Sequence, residues 1–150
     1  MDNVLAILLA GGAGERLYPL TQSTAKPAVP FGGIYRIIDF TLSNCINSGI
    51  RRILVLTQYK ALELIRHLRD GWTILSPELG EYIEVIPPMK RIHQDWYLGT
   101  ADAVYQNIQS IAAENPQELI ILAADSIYKM NYHEMLSWHR QHKADITIAT

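Results

Sequence analysis

The chain has 150 residues, of which 49% are hydrophobic and 19% charged, and its 13 Lys and Arg against 15 Asp and Glu leave a formal charge of −2. A charged share below the usual ~25% argues against disorder, and the lack of a basic excess argues against a life on nucleic-acid backbone. One cysteine, Cys45, excludes an intramolecular disulfide and fits a reducing cytosol.

Val4–Ala10 (VLAILLA) is the longest apolar run, too short to span a bilayer. Asp2 precedes it, Gly11-Gly12 follow it, and no basic segment leads it, so it is no signal peptide. A soluble, cytoplasmic protein with no membrane partner is expected. The run itself reads as a strand buried on both faces. Gly11–Phe31, rich in Gly and Pro, reads as a long loop. A structureless stretch of ~20 residues inside a compact domain is usually functional. Ile37–Asn47 places Ile38, Leu42, Cys45 and Ile46 at helical spacing, with Gly49 as its stop. Arg52–Leu56 is a second buried strand. Ala61–Asp70 predicts a helix with Leu62, Ile65 and Leu68 facing inward, ended by Gly71. Tyr82–Ile86 alternates as a third strand, and Pro87–Gly99 is a second long loop. Thr100–Ala113 reads as one helix, Thr100 its cap and Asp102 in the first turn, where the helix dipole favours an anion. Leu119–Ala123 is the fourth strand. Asn131–His142 is a helix opened by Asn131 and Glu134, a variant capping box. Asp145–Thr150 (DITIAT) alternates as a fifth strand, and ending there suggests a domain cut short.

This alternation predicts an α/β fold with a mainly parallel sheet covered by helices. Ligands of such sheets bind outside the carboxyl ends of the strands, so the residues after Ala10, Leu56, Ile86 and Ala123 carry the chemistry.

Four constellations meet that criterion. Gly11-Gly12-Ala13-Gly14-Glu15-Arg16-Leu17 follows the first strand. Glycines turn tightly and present N–H groups to a phosphate, and Arg16 offers a fork for phosphate oxygens. Leu17 stands where the dinucleotide fingerprint needs its third glycine, and no Gly-Lys-Ser/Thr follows for a Walker A loop. Spacing alone is equally consistent with a tight turn and a solvated arginine. Lys26-Pro27 is a lysine held extended by the following proline, able to aim at a phosphoryl group or simply solvated. Asp125 lies just past the fourth strand. Mg²⁺ typically uses one or two carboxylates plus substrate phosphates, and a turn aspartate is the plainer alternative. Trp96-Tyr97-Leu98-Gly99-Thr100-Ala101-Asp102 is a loop entering a helix. Gly99 permits close approach, the helix N-terminus attracts anions, and the aromatics either stack on a base or cover the core. The five histidines (His67, His93, His133, His139, His142) show no metal signature and read as surface helix residues. Ser126 has no evident base, so a hydrolase triad lacks support.

Together these segments resemble the glucose-1-phosphate adenylyltransferases, the ADP-glucose pyrophosphorylases. GGAGERLYPLT, AKPAVPFGG, YRIIDFTLSNCINSGIRRILVLTQYK, DWYLGTADAVYQN and the D-x-IYKM-x-Y run at Asp125–Tyr132 occur in family order across nearly the whole chain. The resemblance implies a Rossmann-like nucleotidyltransferase fold with helices on both faces. It implies the reaction ATP + glucose 1-phosphate → ADP-glucose + pyrophosphate in glycogen or starch synthesis, with Mg²⁺. By motif, Gly11, Gly12 and Gly14 cradle the nucleotide, with Tyr97, Gly99 and Thr100 near the base. Arg16 holds the departing pyrophosphate, Lys26 neutralises charge on the reacting phosphates, and Asp125 helps hold the metal. The resemblance also implies that residues 1–150 are the N-terminal portion of a catalytic domain that continues into a left-handed β-helix, in a protein assembled as a homo-oligomer, a tetramer in the full-length family.

The chain departs from the family pattern in places. Thr24 replaces the arginine of RAKP, Ile34 the lysine of FGGKYR, and Ala124, Ser126 and Asn131 the Gly, His and Asp of AGDHIYKMDY. Thr24 and Ile34 remove positive charge from the phosphate and effector side, and Ala124 and Ser126 flank the metal aspartate. Altered regulation of a catalytic lineage accounts for this, and so does a non-catalytic nucleotide-binding or regulatory paralogue.

Overall fold

The computed structural model describes residues 3–12, 14–58, 60–87 and 97–150. Its centre is β1 (Val4–Ala10), a strand without a single charged residue. Such a strand is stable only when both of its edges and both of its faces are covered. All four are. β4 (Arg52–Thr57) pairs with one edge in parallel, from Leu5↔Arg52 to Ala10↔Thr57. β6 (Glu118–Ala123) pairs with the other, from Val4↔Glu118 to Leu9↔Ala123. β5 (Tyr82–Ile86) lies parallel outside β4, giving the order β5-β4-β1-β6.

The pleat sends alternate residues to opposite faces. Val4, Ala6, Leu8 and Ala10 join Ile53, Val55, Ile120 and Leu122 under α1 (Ile37–Asn47), α2 (Leu62–Gly71) and α5 (Tyr132–His142). Leu5 and Ile7 join Leu54, Leu56 and Ile86 under α3 (Thr100–Gln106) and α4 (Ile108–Ala113). The expected α/β architecture, a parallel sheet with helices on both faces, is therefore the one observed. A short hairpin of β2 (Pro30–Phe31) and β3 (Tyr35–Arg36) stands apart from this sheet, carrying exposed Ile34 in its turn.

Four local expectations are corrected. In α2 the inward side chains are Leu64 and Leu68, one helical turn apart, while Leu62 and Ile65 are exposed. The Leu64–Leu68 stripe packs into the core cluster beside the sheet. The helix expected over 100–113 breaks at buried Asn107. The Asn107 amide donates to Ala103 O at 2.8 Å, a back-bond that competes with the regular ladder. The cap of α3 is Gly99, not Thr100. The Asp102 carboxylate reaches back past this cap, accepting from Leu98 N at 2.9 Å. Asp145–Thr150 is no strand; Ile146 and Ile148 are exposed and no ladder partner engages them. An alternating pattern needs a neighbouring edge to become a strand. β6 is correspondingly covered on one face only, with Leu119 and Ile121 exposed on the other.

The amino ends of the strands are tied by one polar cluster. Arg52, first residue of β4, donates to Glu114 Oε2 at 2.8 Å, to Glu114 O at 2.6 Å and to Asn3 Oδ1 at 3.0 Å. Tyr82, first residue of β5, donates its hydroxyl to the same Glu114 carboxylate. The Tyr82 bond and then Arg52 hold the Glu114 carboxyl below its ordinary 4.5. Burial, then the Glu114 partnership, pushes the Tyr82 phenol up to about 12 from 10.0.

Both shifts make stability depend on pH. Glu114 has a depressed folded value, so its contribution is present above pH 4.5 and is lost as pH falls through that folded value. Tyr82 has a raised one, so its contribution is whole below pH 10.0 and is lost as pH rises toward 12. Urea unfolding across pH should show both declines, and Glu114→Gln should flatten the acid one. An acid limb parallel to that of the unsubstituted chain would remove the cluster from the account.

Candidate functional site

Opposite that cluster, at the carboxyl ends of the strands, the order β5-β4-β1-β6 creates a reversal. The chain leaves β1 toward β4 on one side and later returns to β6 on the other. Loops after β1 and β6 consequently diverge and leave a crevice. A cleft of about 380 Å³ opens there, its lining including Leu9 of β1, Leu56 of β4 and Ala123 of β6.

One wall is the loop after β1. Gly11 and Gly12 line the cleft, and a Cβ at Gly12 would meet nothing within 4 Å. Space there is open for a ligand to approach the backbone. Gly14 is left-handed (φ 69°), and a Cβ on it would lie 2.8 Å from Thr21 Cγ2 and 3.1 Å from Lys26 Cβ. The glycine turn is thus packed directly onto Lys26. Thr21 Oγ1 donates to Gly14 O at 2.8 Å, and the Lys60 ammonium, from beyond β4, donates to Thr21 O at 2.8 Å and Gln22 O at 2.7 Å.

Lys26 was expected in an extended segment; it lies instead in a single 3₁₀ turn, Lys26–Ala28. Two turn bonds, Ala28 N to Ala25 O (2.9 Å) and Val29 N to Lys26 O (3.1 Å), override the bias set by Pro27. From this turn the Lys26 ammonium reaches Asp125 Oδ2 at 2.8 Å, 99 residues along the chain. Asp125 is positioned by β6. Fully buried Ala124 extends the ladder by one bond, its N–H donating to Leu9 O at 3.1 Å, and Asp125 is the next residue out. Ala124 therefore fits the geometry of its neighbour. Asn131 caps α5, its side chain accepting from His133 N at 3.1 Å and donating to Glu134 at 2.9 Å.

The facing wall carries Tyr97, Gly99 and Thr100, the last opening α3. Two residues outside the sequence-derived set hold Tyr97 here. The break residue Asn107 donates to the Tyr97 hydroxyl at 3.0 Å, alongside its bond to Ala103 O. Gln58, just past β4, lines the cleft; with its amide turned so that both ends are satisfied, it spans the two walls, donating to Gly11 O (3.2 Å) and accepting from Tyr97 N (3.0 Å). Gln58 lay at the strand end where ligands are expected; Asn107 had no such signal, because its partner is ten residues away in the chain.

The cleft therefore collects Gly11, Gly12, Lys26, Tyr97, Gly99, Thr100 and Asp125. Gly14 braces Lys26 from behind, and Arg16 stands exposed on the adjoining 3₁₀ turn without lining the cleft. Trp96 and His93 lie outside the described residues. Among the histidines, His67 is not a surface residue: its ring pairs with buried Asp39 at 2.7 Å.

The donor set is informative about metals. Among the described residues no three His, Cys, Asp or Glu side chains gather to hold an ion. A lone carboxylate beside a phosphate-sized cleft suits Mg²⁺ completed by substrate phosphates, and suits no all-protein metal cage.

Known proteins bear on this cleft. The sequence model described as nucleotidyl transferase matches residues 5–150. A glucose-1-phosphate adenylyltransferase of Koribacter versatilis is 65% identical over 151 residues, covering 100% of this chain and 36% of that protein. A glucose-1-phosphate adenylyltransferase 2 of Vibrio parahaemolyticus is 56% identical, covering 99% and 37%. This chain thus spans little more than a third of the length of these curated relatives. Among solved structures, a Bacillus anthracis protein described as a glucose-1-phosphate thymidylyltransferase, crystallised with sucrose, superposes with a TM-score of 0.72 at 22% identity. It covers 93% of this chain and 51% of its own, and at that identity it speaks for the fold alone.

Replacing Gly14 by Ala forces a left-handed alanine into Thr21 and Lys26. The expected cost is about 2 kcal/mol of unfolding free energy, measured by urea titration. A fully neutral substitution would show that the turn is not packed as described.

Proposed function

The chain belongs to the nucleotidyl transferase family, and from that membership we propose that its cleft holds the nucleotide of an adenylyl transfer, ATP + glucose 1-phosphate giving ADP-glucose and pyrophosphate. The observation that carries the reading is the convergence of the glycine loop, Lys26 and Asp125 on one cleft at the topological reversal. The names of the relatives favour a catalytic lineage over a purely regulatory one.

In this reading the sugar phosphate attacks the α-phosphorus in line. A new phosphorus–oxygen bond forms as the bond to the β-phosphate oxygen breaks, and pyrophosphate leaves. Such chemistry asks the protein mainly for positioning and for neutralised charge. Gly11 and Gly12 present backbone to the phosphates. Tyr97, fixed by Asn107 and Gln58, offers its ring to the base, and Gly99 and Thr100 border the base and the helix N-terminus. Arg16 reaches the departing pyrophosphate from the glycine turn. Mg²⁺, when bound, supplies charge neutralisation at the phosphate oxygens.

The Lys26–Asp125 pair takes on a role of its own. The two side chains are 29% and 36% exposed, and an ion pair that open contributes only roughly 0–1 kcal/mol. Incoming nucleotide therefore separates it at little cost, freeing Lys26 for phosphate and Asp125 for the metal. The remaining sugar-phosphate contacts, the second carboxylate and the oligomeric assembly belong to the longer protein that the relatives represent, of which residues 1–150 form the N-terminal portion of the catalytic domain. Activity in the bacterial cytoplasm within glycogen synthesis is part of the same proposal.

Titrating the chain with ATP should give weak binding that Mg²⁺ strengthens, with negligible turnover by these 150 residues. Asp125→Asn should abolish the Mg²⁺ enhancement, and Lys26→Ala should weaken binding about tenfold, as expected for loss of a charged contact. Unchanged Mg²⁺ dependence in Asp125→Asn would refute the metal role.

A further inference from the structure

Asp39 carries a carboxylate inside the molecule, in the first turn of α1, and it does not line the cleft. Burying such a charge is costly unless its lone pairs are met. Three groups from two segments meet them. Arg36 N donates to Oδ2 at 2.8 Å, and Trp72 Nε1 (2.8 Å) and His67 Nε2 (2.7 Å) share Oδ1. Asp39 thereby joins the N-cap residue of α1 to the last part of α2 and the residue after it. It also sits where the α1 dipole favours an anion.

The residue fixed by Oδ2 leads onward to the cleft. Arg36 Nη1 donates to Ala28 O at 2.6 Å, and the neighbouring Ile37 N donates to Val29 O at 3.2 Å. Ala28 closes the 3₁₀ turn that Lys26 opens, and is fully buried in the same cluster as Leu64 and Leu68 of α2. The backbone carrying Lys26 is thus hung on the first residues of α1, which are hung on Asp39.

We infer that Asp39, held by Trp72 and His67, is a positioning residue for Lys26: its buried carboxylate sets the α1 N-terminus, and through the Arg36–Ala28 bond sets the turn that aims the Lys26 ammonium at Asp125. The consequence for nucleotide rests on the reading of Lys26 proposed above; the coupling to the turn does not. Asp39 does not line the cleft, so its effect passes through Arg36, by its backbone and its guanidinium, to the turn that carries Lys26.

The test is heteronuclear NMR on the whole chain with Asp39→Asn, and with Trp72→Phe, which deletes a single donor while keeping an aromatic ring. Without ligand, the Lys26 amide and Ala28 carbonyl resonances should move in both variants, with β6 resonances before Ala124 unchanged. With Mg²⁺ and ATP, Asp39→Asn should weaken binding about tenfold, the lower end of what an outer-shell partner is worth. Adding it to Lys26→Ala should cost nothing further, because the two act as one unit. Lys26 and Ala28 resonances that stay in place in folded variants, or a full extra loss in the Lys26→Ala background, would overturn the inference. If the unsubstituted chain binds no ATP with Mg²⁺, the functional reading fails while the ligand-free resonances still decide the coupling.

Discussion

Everything in this molecule is arranged around the fact that β1 has no exposed side. Its seven apolar residues are paired with β4 and β6 at the edges and roofed by α1, α2 and α5 on one face and α3 and α4 on the other. Only its two ends reach solvent. The amino end is closed by the Arg52–Glu114–Tyr82 cluster beside it. The carboxyl end, where the neighbours' connections diverge, is left for chemistry. The hydrophobic demand of one strand thus decides where a polar site can be built.

Placing loops at a rim does not by itself hold them there. Each wall of the cleft is fastened by polar side chains that arrive from elsewhere in the fold. Lys60 fastens the loop after β1 at Thr21 and Gln22, Arg36 fastens the Lys26 turn at Ala28, and Asn107 fastens Tyr97 by its hydroxyl. Gln58 spans from Gly11 to Tyr97. Lys60, Arg36 and Gln58 satisfy loop carbonyls that a sheet would otherwise have paired. The Lys26–Asp125 contact differs from them in pairing two opposite charges that both line the cleft, 29% and 36% exposed. The fixed bonds frame the cleft, and the weak one is available for exchange with a ligand.

Much of the scaffold was legible because hydrophobic periodicity reports burial directly. β1, β5 and α1 occupy the residues that their patterns indicate, and β4 and β6 differ by one residue at an end. What periodicity misses is competition. Leu62 and Ile65 carry the same apolar character as Leu64 and Leu68, and only packing against the sheet selects between the stripes. Asn107 interrupts a helix by bonding to a partner that the sequence does not reveal. Asp145–Thr150 has the alternation of a strand but no edge to join. Among site residues, those attached to strand ends or glycine turns were readable, since topology fixes where they go. Gln58 and Asn107 act by reaching across space, and His67 reads as a surface residue until Asp39 is seen beside it.

The central claim is that one cleft holds a metal-bound triphosphate between the loop after β1 and the end of β6. Replacing Mg²⁺ by paramagnetic Mn²⁺ in the presence of ATP, and recording which backbone amide resonances broaden, tests it most directly. The account predicts joint broadening of Gly11, Gly12, Lys26 and Asp125, with the amino-rim residues Arg52 and Glu114 untouched. Broadening confined to a different surface, or reaching Asp125 without the glycine loop, would contradict it.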